Sequence, residues 1–174
     1  GTISGIIKMK QTKKHVDWCL KKAEKELEKS NKHRGLVKIK PNVNLAREHI
    51  DKAEHYLKAT DLLKEKGFSD ISASTVFYAI YQSLLAISVK FGYESKNQTC
   101  TFALIRNLVE EKKIDFDENL IRKISSLDDS VYSVVEIRET YQYGTKLSME
   151  YELYQQTMNL AIKVISRTKE IIEY

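Results

Sequence analysis

The sequence predicts an all-α protein, an up-and-down helical bundle with an N-terminal helical extension. Six glycines and a single proline among 174 residues are too few for a loop-rich β protein. Apolar residues recur at steps of three and four, and no segment alternates apolar and polar residues as a half-buried strand would. The length fits one domain of ordinary size, with enough material for a core.

Short breaks divide the first half of this pattern into helices. The first helix is predicted over residues 12–34, and Gly35 follows it as a stop. After the proline that breaks the chain, Asn44 is placed to cap a second helix, which reaches the residue before Gly67. Both helices carry one apolar stripe and are therefore expected to bury one face.

Four further helices are predicted from the same periodicity. The third spans residues 69–91 and is the most hydrophobic, so it should be central. A shorter fourth helix covers residues 101–112. The fifth runs over residues 117–143 with an irregularity at residues 125–130, and the last over residues 148–172.

Charge divides the chain into a basic extension and a bundle. Residues 1–41 hold 12 basic and 4 acidic residues, a net +8, whereas residues 42–174 hold 17 and 20, a net −3. We expect the extension to pack on the bundle through Val16, Trp18 or Leu20. Such a segment could attract nucleic acid or an acidic partner, but glutamates interleaved with lysines are also typical of a solvated helix face. No aromatic interleaving of the kind found in single-strand binding sites is evident.

The two cysteines, Cys19 and Cys100, lie far apart and form no metal-type pair, so we interpret them as reduced thiols in a cytoplasmic protein. No apolar run approaches the ~20 residues that cross a bilayer, and the first residues lack signal-peptide anatomy. No membrane association is expected. Neither a metal-ligand spacing nor a phosphate-binding glycine loop occurs, so no metal and no cofactor are expected.

Arg138 stands where the apolar pattern of the fifth helix calls for a core residue. The preceding positions on that face are Leu120, Ile124, Leu127, Val131 and Val134. A guanidinium at the end of an apolar seam needs a partner or a ligand, because a buried unpaired charge is costly. The alternative is a structural arginine near a helix C-terminus, paired with Glu136 or Glu139. Gly144 provides a helix stop just beyond.

Three segments in this order resemble HEPN domains, small all-helical domains of bacteria and archaea. Leu45-Ala-Arg-Glu-His-Ile-Asp-Lys-Ala-Glu-His-Tyr-Leu57 is similar to their first core helix, and Ser72-Ala-Ser-Thr-Val-Phe-Tyr-Ala-Ile-Tyr-Gln-Ser-Leu-Leu85 to the second. Ser95-Lys-Asn-Gln-Thr-Cys-Thr101 resembles the loop that follows. The resemblance implies a four-helix HEPN-like core over residues 42–174, and the extension looks like one seen in an archaeal branch.

The resemblance also implies a site. Active HEPN ribonucleases carry an arginine, four intervening residues and a histidine, and a homodimer brings two copies together to cut RNA without metal. Arg138 matches the arginine, Glu139 the polar residue after it, and Tyr143 occupies the histidine position, while Gln142 stands where a variant subgroup has aspartate. The cleavage needs a base with a pKa near neutrality, whereas the reference pKa of tyrosine is about 10. An efficient ribonuclease is therefore not expected.

Two functions follow from the resemblance. The first is a binding module, the non-catalytic or weakly active subunit of a toxin–antitoxin-like pair with a minimal nucleotidyltransferase. Its homodimer cleft, formed by Arg138, Glu139, Tyr141, Gln142 and Tyr143, would bind RNA or a nucleotide, and Tyr141 or Tyr143 would accept a nucleotide from the partner. The second is a slow, metal-independent endoribonuclease that uses Arg138 with Tyr143 or a glutamate as base. A purely structural subunit, with Arg138 held in an ion pair, is a third possibility. A homodimer is also predicted because the Arg138 face extends the apolar seam to a helix end.

Overall fold

The structure, a computed structural model, describes residues 3–125 and 133–174, without the side chains of residues 4–10. The elements of these residues, in chain order, are α1 (Ile3–Lys29), β1 (Leu36–Lys38), α2 (Val43–Glu65), α3 (Ser69–Lys90), β2 (Tyr93–Ser95), α4 (Gln98–Glu110), α5 (Glu118–Ile124), α6 (Val134–Tyr143) and α7 (Tyr151–Glu173). The all-α class is confirmed, because the helices dominate and the strands form only a short ribbon.

The contacts within the chain group these elements into two compact units. The first unit comprises Gly1–Ala46 and Leu84–Asp115, and the second comprises Arg47–Ser83 and Phe116–Tyr174. The first contains α1, the two strands, α4 and the end of α3, while the second contains most of α2 and α3 together with α5, α6 and α7. The domain boundary predicted after residue 41 stays a prediction, since a grouping of contacts does not test which segment folds alone.

In the first unit, α1 packs against α4 and is covalently joined to it. Val16, Cys19 and Ala23 form the buried stripe of α1. Cys19 forms a disulfide with Cys100 of α4, with the two Cα atoms 5.9 Å apart. The expectation of two reduced thiols is wrong, because helix packing brings together residues that are 81 positions apart in the sequence. The predicted cytoplasmic location loses this support, since stable disulfides are rare in a reducing cytosol.

The chain leaves α1 earlier than predicted and turns into a strand. α1 ends at Lys29 rather than at residue 34, and the Lys32 N–H donates to Ser30 Oγ (3.2 Å) in the turn that follows. Gly35 is not the helix stop. A Cβ at Gly35 would lie 2.4 Å from the Cys19 carbonyl oxygen, so glycine allows the backbone to pass close against α1. α1 also begins nine residues before its predicted start, at Ile3.

The sequence predicted no strand, but β1 and β2 pair in antiparallel register. Leu36 lies opposite Ser95, and Lys38 lies opposite Tyr93. Strands of three residues are too short to produce a recognisable alternation, which is why the sequence pattern missed them. The ribbon joins the segment after α1 to the segment after α3.

A buried histidine fastens this ribbon. His33 is 6% exposed, and its Nδ1 accepts a hydrogen bond from the Gly35 N–H (3.2 Å). Because Nδ1 accepts, Nε2 carries the proton and donates to Glu94 Oε1 of β2 at 2.7 Å. The contact spans 61 positions in the sequence, and neither residue stood out in the sequence pattern.

The α2–α3 hairpin follows the prediction closely. α2 begins at Val43, where Asn42 Oδ1 accepts from the Leu45 N–H (2.9 Å), so the capping side chain is Asn42 and not Asn44. Gly67 has φ +87°, a left-handed conformation that ends α2 and reverses the chain before α3. The starts and ends of α4 and α7 lie within three residues of their predicted positions.

α3 is the most apolar helix, as predicted. By length and composition alone it would suffice to cross a membrane, so the statement that no segment approaches that length needs correction. Of its apolar window, 61% is buried, as is usual for the core helix of a folded unit. Such a helix is weak evidence for a membrane span.

The single helix predicted over residues 117–143 is wrong. α5 ends at Ile124 with Ser125 extended (φ −148°, ψ 107°). α6 begins after Ser133, whose Oγ accepts from the Glu136 N–H (3.3 Å) as an N-cap. The predicted irregularity falls largely in residues 126–132, outside the described residues, as do Leu127 and Val131 of the predicted apolar seam.

A small cluster in the second unit holds α6 and α7 against the start of α3. Ala73, Ile137, Met149 and Tyr154 are all buried and pack together. Ser69 Oγ accepts from the Met149 N–H (2.8 Å), which fixes the segment after α6 to the first residue of α3. α6 is thereby held along α3.

We expect the disulfide to stabilise the first unit measurably. Cys19→Ser or Cys100→Ser should lower the free energy of unfolding by about 2–4 kcal/mol, because the crosslink restricts the unfolded chain over a long loop. Thermal unfolding of both single variants and of the double variant is the measurement, and the three should coincide. If reductant left the Tm of the wild type unchanged while a thiol assay counted two free cysteines, the crosslink would be refuted.

Candidate functional site

The site is built on α6, a helix with clear signals at both ends. Ser133 caps its first turn, and Gly144 ends it by donating its N–H to the Thr140 carbonyl oxygen at 3.0 Å. A Cβ at Gly144 would lie 2.6 Å from that oxygen, so the stop requires glycine for lack of space. The predicted stop at Gly144 is confirmed. Arg138 lies in the middle of this helix.

The guanidinium of Arg138 lies on the face of an aromatic ring of α3. Its Cζ is 4.4 Å from the ring centroid of Phe77, a distance typical of a cation–π contact. Phe77 is only 3% exposed, and the ring of Tyr81 stacks on it at 5.8 Å with an interplanar angle of 14°. A planar, delocalised cation suits such a face better than an ammonium does, so the ring fixes where the guanidinium lies.

Arg138 lacks the polar partners that a half-buried guanidinium usually has. Its Nε is buried and has no hydrogen-bond partner among the described residues. Within that part of the chain no carboxylate forms an ion pair with it, and the same-chain pairs with Glu136 or Glu139 that the sequence left open are not formed. An unsatisfied buried donor of this kind costs about 1–3 kcal/mol, so the site favours a ligand that accepts hydrogen bonds.

The other predicted site residues are distributed around α6. At about 100° per residue, Gln142 lies about 40° from Arg138 around the helix axis and Tyr143 about 140°. Gln142, Glu139 and Tyr143 are exposed, Tyr143 to 79%, while Tyr141 packs against the Ala73 cluster. One chain therefore brings Arg138 and Gln142 to the same side of the helix and turns Tyr143 away from both.

The sequence pattern missed a group formed by Lys64 of α2 and two tyrosines in the first turn of α7. Lys64 Nζ lies 5.6 Å from the ring centroid of Tyr151 and 5.2 Å from that of Tyr154. The Tyr154 hydroxyl donates to Asp61 Oδ1 at 3.3 Å. Burial, reinforced by the Asp61 charge, raises the pKa of Tyr154 to about 12, so this phenol stays protonated and is no candidate base. Only spacing across two helices could have signalled this group.

Six large apolar side chains are exposed around the same segments. We call them the apolar end, and they are Leu62, Phe68, Ile71, Tyr143, Leu147 and Tyr151. The elements that carry them are in contact through the Lys64–Tyr151 and Ser69–Met149 interactions. Exposed apolar side chains that gather in one region mark interaction surfaces more often than isolated ones do.

The second unit also contains concave surface away from Arg138. A groove of about 540 Å³ between α2 and α7 is lined by apolar side chains such as Leu57 and Ile165 and by the Glu54–Lys169 ion pair. Another pocket of about 620 Å³ lies among α5, α6 and α7. Arg138 lines neither. Among residues 3–125 and 133–174, no three His, Cys, Asp or Glu side chains gather as a metal site would need.

Comparison with known proteins places the chain in a family. No curated protein matches the sequence. The family model for the HEPN domain matches residues 46–174, which is well over half of the chain and runs from α2 through α7. The match covers the three segments on which the resemblance rested, apart from Leu45, and it also includes α6. The chain therefore belongs to the HEPN domain family.

Proposed function

We propose that Arg138 binds a phosphate group of RNA or of a nucleotide, and that the protein is a non-catalytic or weakly active binding subunit. The observation that carries this proposal is the guanidinium held on Phe77 with a buried Nε that has no partner among the described residues. Arginine offers a planar set of donors that matches phosphate oxygens, so a phosphate satisfies the donor left over. Gln142, on the same side of α6, adds an amide beside it.

A homodimer is part of this proposal. HEPN domains commonly dimerise, and the apolar end leaves six large apolar side chains in water. Tyr143 and Leu147 belong to that end and lie just beyond Arg138 in the sequence. Covering the apolar end with a second copy would bring the ends of two α6 helices together, and with them two guanidinium groups for one polyanion.

The partner in this proposal is a minimal nucleotidyltransferase, in a toxin–antitoxin-like pair. Tyr143 is 79% exposed, whereas Tyr141 is packed against the Ala73 cluster, so Tyr143 is the accessible acceptor. Transfer to its hydroxyl would form a phosphodiester bond, with pyrophosphate leaving and the phenolic proton passing to solvent. An exposed phenol suits this role better than the role of general base in RNA cleavage. Such a base would have to act beside Arg138, and α6 turns Tyr143 away from Arg138.

The alternative, a metal-independent endoribonuclease, requires a base beside Arg138, and among the described residues Tyr143 of the same chain is turned away from it. The four histidines do not substitute for it. His33 is buried in the first unit, His49 is bonded to Gln82, and His15 and His55 lie on α1 and α2. The base would then be a partner's Tyr143 or a glutamate such as Glu139, and the same experiment tests whether cleavage occurs.

We expect the purified protein to bind a short RNA, to cleave it slowly or not at all in EDTA, and to bind it more weakly when Arg138 is changed. Arg138→Ala should weaken binding about tenfold or more, because hydrogen bonds to a charged group contribute about 1.5–3 kcal/mol. Arg138→Lys should bind RNA more tightly than Arg138→Ala but more weakly than the wild type, since an ammonium lacks the planar donor set. Fluorescence anisotropy of a labelled RNA measures binding, and gel analysis measures cleavage.

Arg167→Ala is the matched control, because Arg167 pairs with Glu170 on α7 and belongs to no predicted site. Its affinity for RNA should equal that of the wild type. Cleavage by the wild type in EDTA that disappears in Arg138→Ala would establish the endoribonuclease instead. Cleavage by Tyr143→His alone would show that the scaffold is intact and only the base is missing. Equal RNA binding by Arg138→Ala and wild type would refute the phosphate site.

The dimer is tested separately. Light scattering at micromolar concentration should give twice the monomer mass of 20.2 kDa. Leu147→Glu should shift the protein to monomer, because it places a charge in the apolar end, while its 81% exposure keeps the fold unaffected. Ile162→Glu, at an exposed apolar position of α7 outside that end, is the control and should remain dimeric. A monomeric wild type would refute the homodimer.

A further inference from the structure

α1 has two sharply different faces in the first unit. Val16, Cys19 and Ala23 are buried, and they follow one another at helical spacing. The opposite side of the helix is exposed to solvent and carries a row that we call the lysine face, made up of Lys14, Trp18, Lys21, Lys25 and Lys29. Steps of three and four place these five side chains along one line of about 22 Å, since each residue advances the helix by 1.5 Å.

The lysine face contains no acidic residue. Asp17, Glu24 and Glu28 fall on the neighbouring side of α1, at spacings of seven and four. Lys21, Lys25 and Lys29 are therefore like-charged neighbours at i, i+4, an arrangement that destabilises a helix slightly, whereas alternating signs would stabilise it. None of the lysines of this face forms an ion pair with a carboxylate of the described residues. Asp17, Glu24 and Glu28 stand three or four positions from Lys14, Lys21 and Lys25, yet none of them is paired with these lysines, which therefore remain available to an anionic ligand.

Trp18 lies in the middle of the lysine face and is 56% exposed. The sequence led us to expect Val16, Trp18 or Leu20 to pack inward, and of the three Val16 does so while Trp18 faces water. The ring of His15 lies 6.1 Å away at 56°, so it is tilted against the indole and not stacked on it. The aromatic group that appeared to be missing from the basic segment is thus provided by helical spacing rather than by adjacency in the sequence.

The charge of the whole first unit points the same way. Gly1–Ala46 and Leu84–Asp115 contain 17 basic and 8 acidic residues, a net +9, whereas the second unit contains 12 and 16, a net −4. The excess positive charge of the protein is therefore confined to the unit that carries the lysine face. A polyanion would be attracted to this unit even before it made specific contacts.

We propose that the lysine face binds single-stranded nucleic acid, with the lysines on successive phosphates and a base stacked on Trp18. Phosphates follow one another at about 3.4 Å along a stacked strand, so the row can meet several of them. Every base has a π-face that can stack on an indole, whereas the carboxylate side chains of an acidic peptide have no such face. A membrane-surface helix needs a free apolar face, and the apolar face of α1 is buried against the first unit.

Trp18 is the only tryptophan of the chain, so its fluorescence reports on this surface alone. Titration with octauridylate should quench it to saturation. The logarithm of the binding constant should fall against the logarithm of salt concentration with a slope of about −2.8 for four lysine contacts, at 0.7 per phosphate. Lys21→Glu/Lys25→Glu should weaken binding at least tenfold and reduce the slope to about −1.4. Lys58→Glu/Lys163→Glu is the control with the same charge change in the second unit, and it should retain the quench.

Trp18→Ala, followed by anisotropy of labelled octauridylate, should weaken binding roughly tenfold through the loss of stacking. The Arg138 proposal is independent of this one, because Arg138→Ala leaves Trp18 in place and should still show the quench. Anisotropy that reports binding without any change in Trp18 fluorescence would locate the RNA elsewhere and overturn the proposal. Equal quenching by polyglutamate, or quenching by phosphatidylserine vesicles but not by octauridylate, would overturn it in favour of an acidic protein or a membrane surface.

Discussion

The packing of α6 along the first turns of α3 determines what Arg138 can do. Ile137 enters the cluster with Ala73 and Met149, and the next residue is then carried onto the ring of Phe77. The guanidinium is positioned before any ligand arrives, so little conformational entropy remains to be lost on binding. The same packing turns Tyr143 outward. A single hydrophobic contact thus separates the guanidinium of Arg138 from the phenol of Tyr143.

Charge is divided between the two units in a way that the net value of +5 conceals. The first unit carries a net +9, and its α1 presents lysines along one line. The second unit carries a net −4 and holds Arg138 as a localised cation stacked on an aromatic ring. In the proposed site, a phosphate would be recognised by close contact, because the net negative charge of the second unit offers it little long-range attraction. The first unit can act at longer range and with less discrimination.

Much of this fold could be predicted from local signals, and the misses share a physical cause. Helix ends such as those at Gly67 and Gly144 could be predicted, because capping and chain reversal depend on nearby residues. The disulfide, the His33–Glu94 contact and the β-ribbon were not, since each joins residues far apart in the sequence. Periodicity also predicted one helix where Ser125 is extended and Ser133 caps a new one.

The candidate site shows the same limit. Its arginine was found because a charge interrupts an apolar pattern, a signal contained in the sequence itself. The ring beneath it was not, because Phe77 follows an ordinary helical spacing and only packing reveals its role. The exposure of Trp18 likewise depends on which side of α1 the first unit covers.

The ribbon between β1 and β2 has a consequence for anyone who would excise the family domain. A fragment containing only residues 46–174 would keep Cys100 without Cys19, Glu94 without His33 and the open edge of β2 without β1. An unpaired strand edge recruits other chains, and a lone thiol crosslinks them. The family boundary is therefore a poor place to cut, and aggregates of such a fragment would reflect its missing neighbours rather than any property of the intact protein.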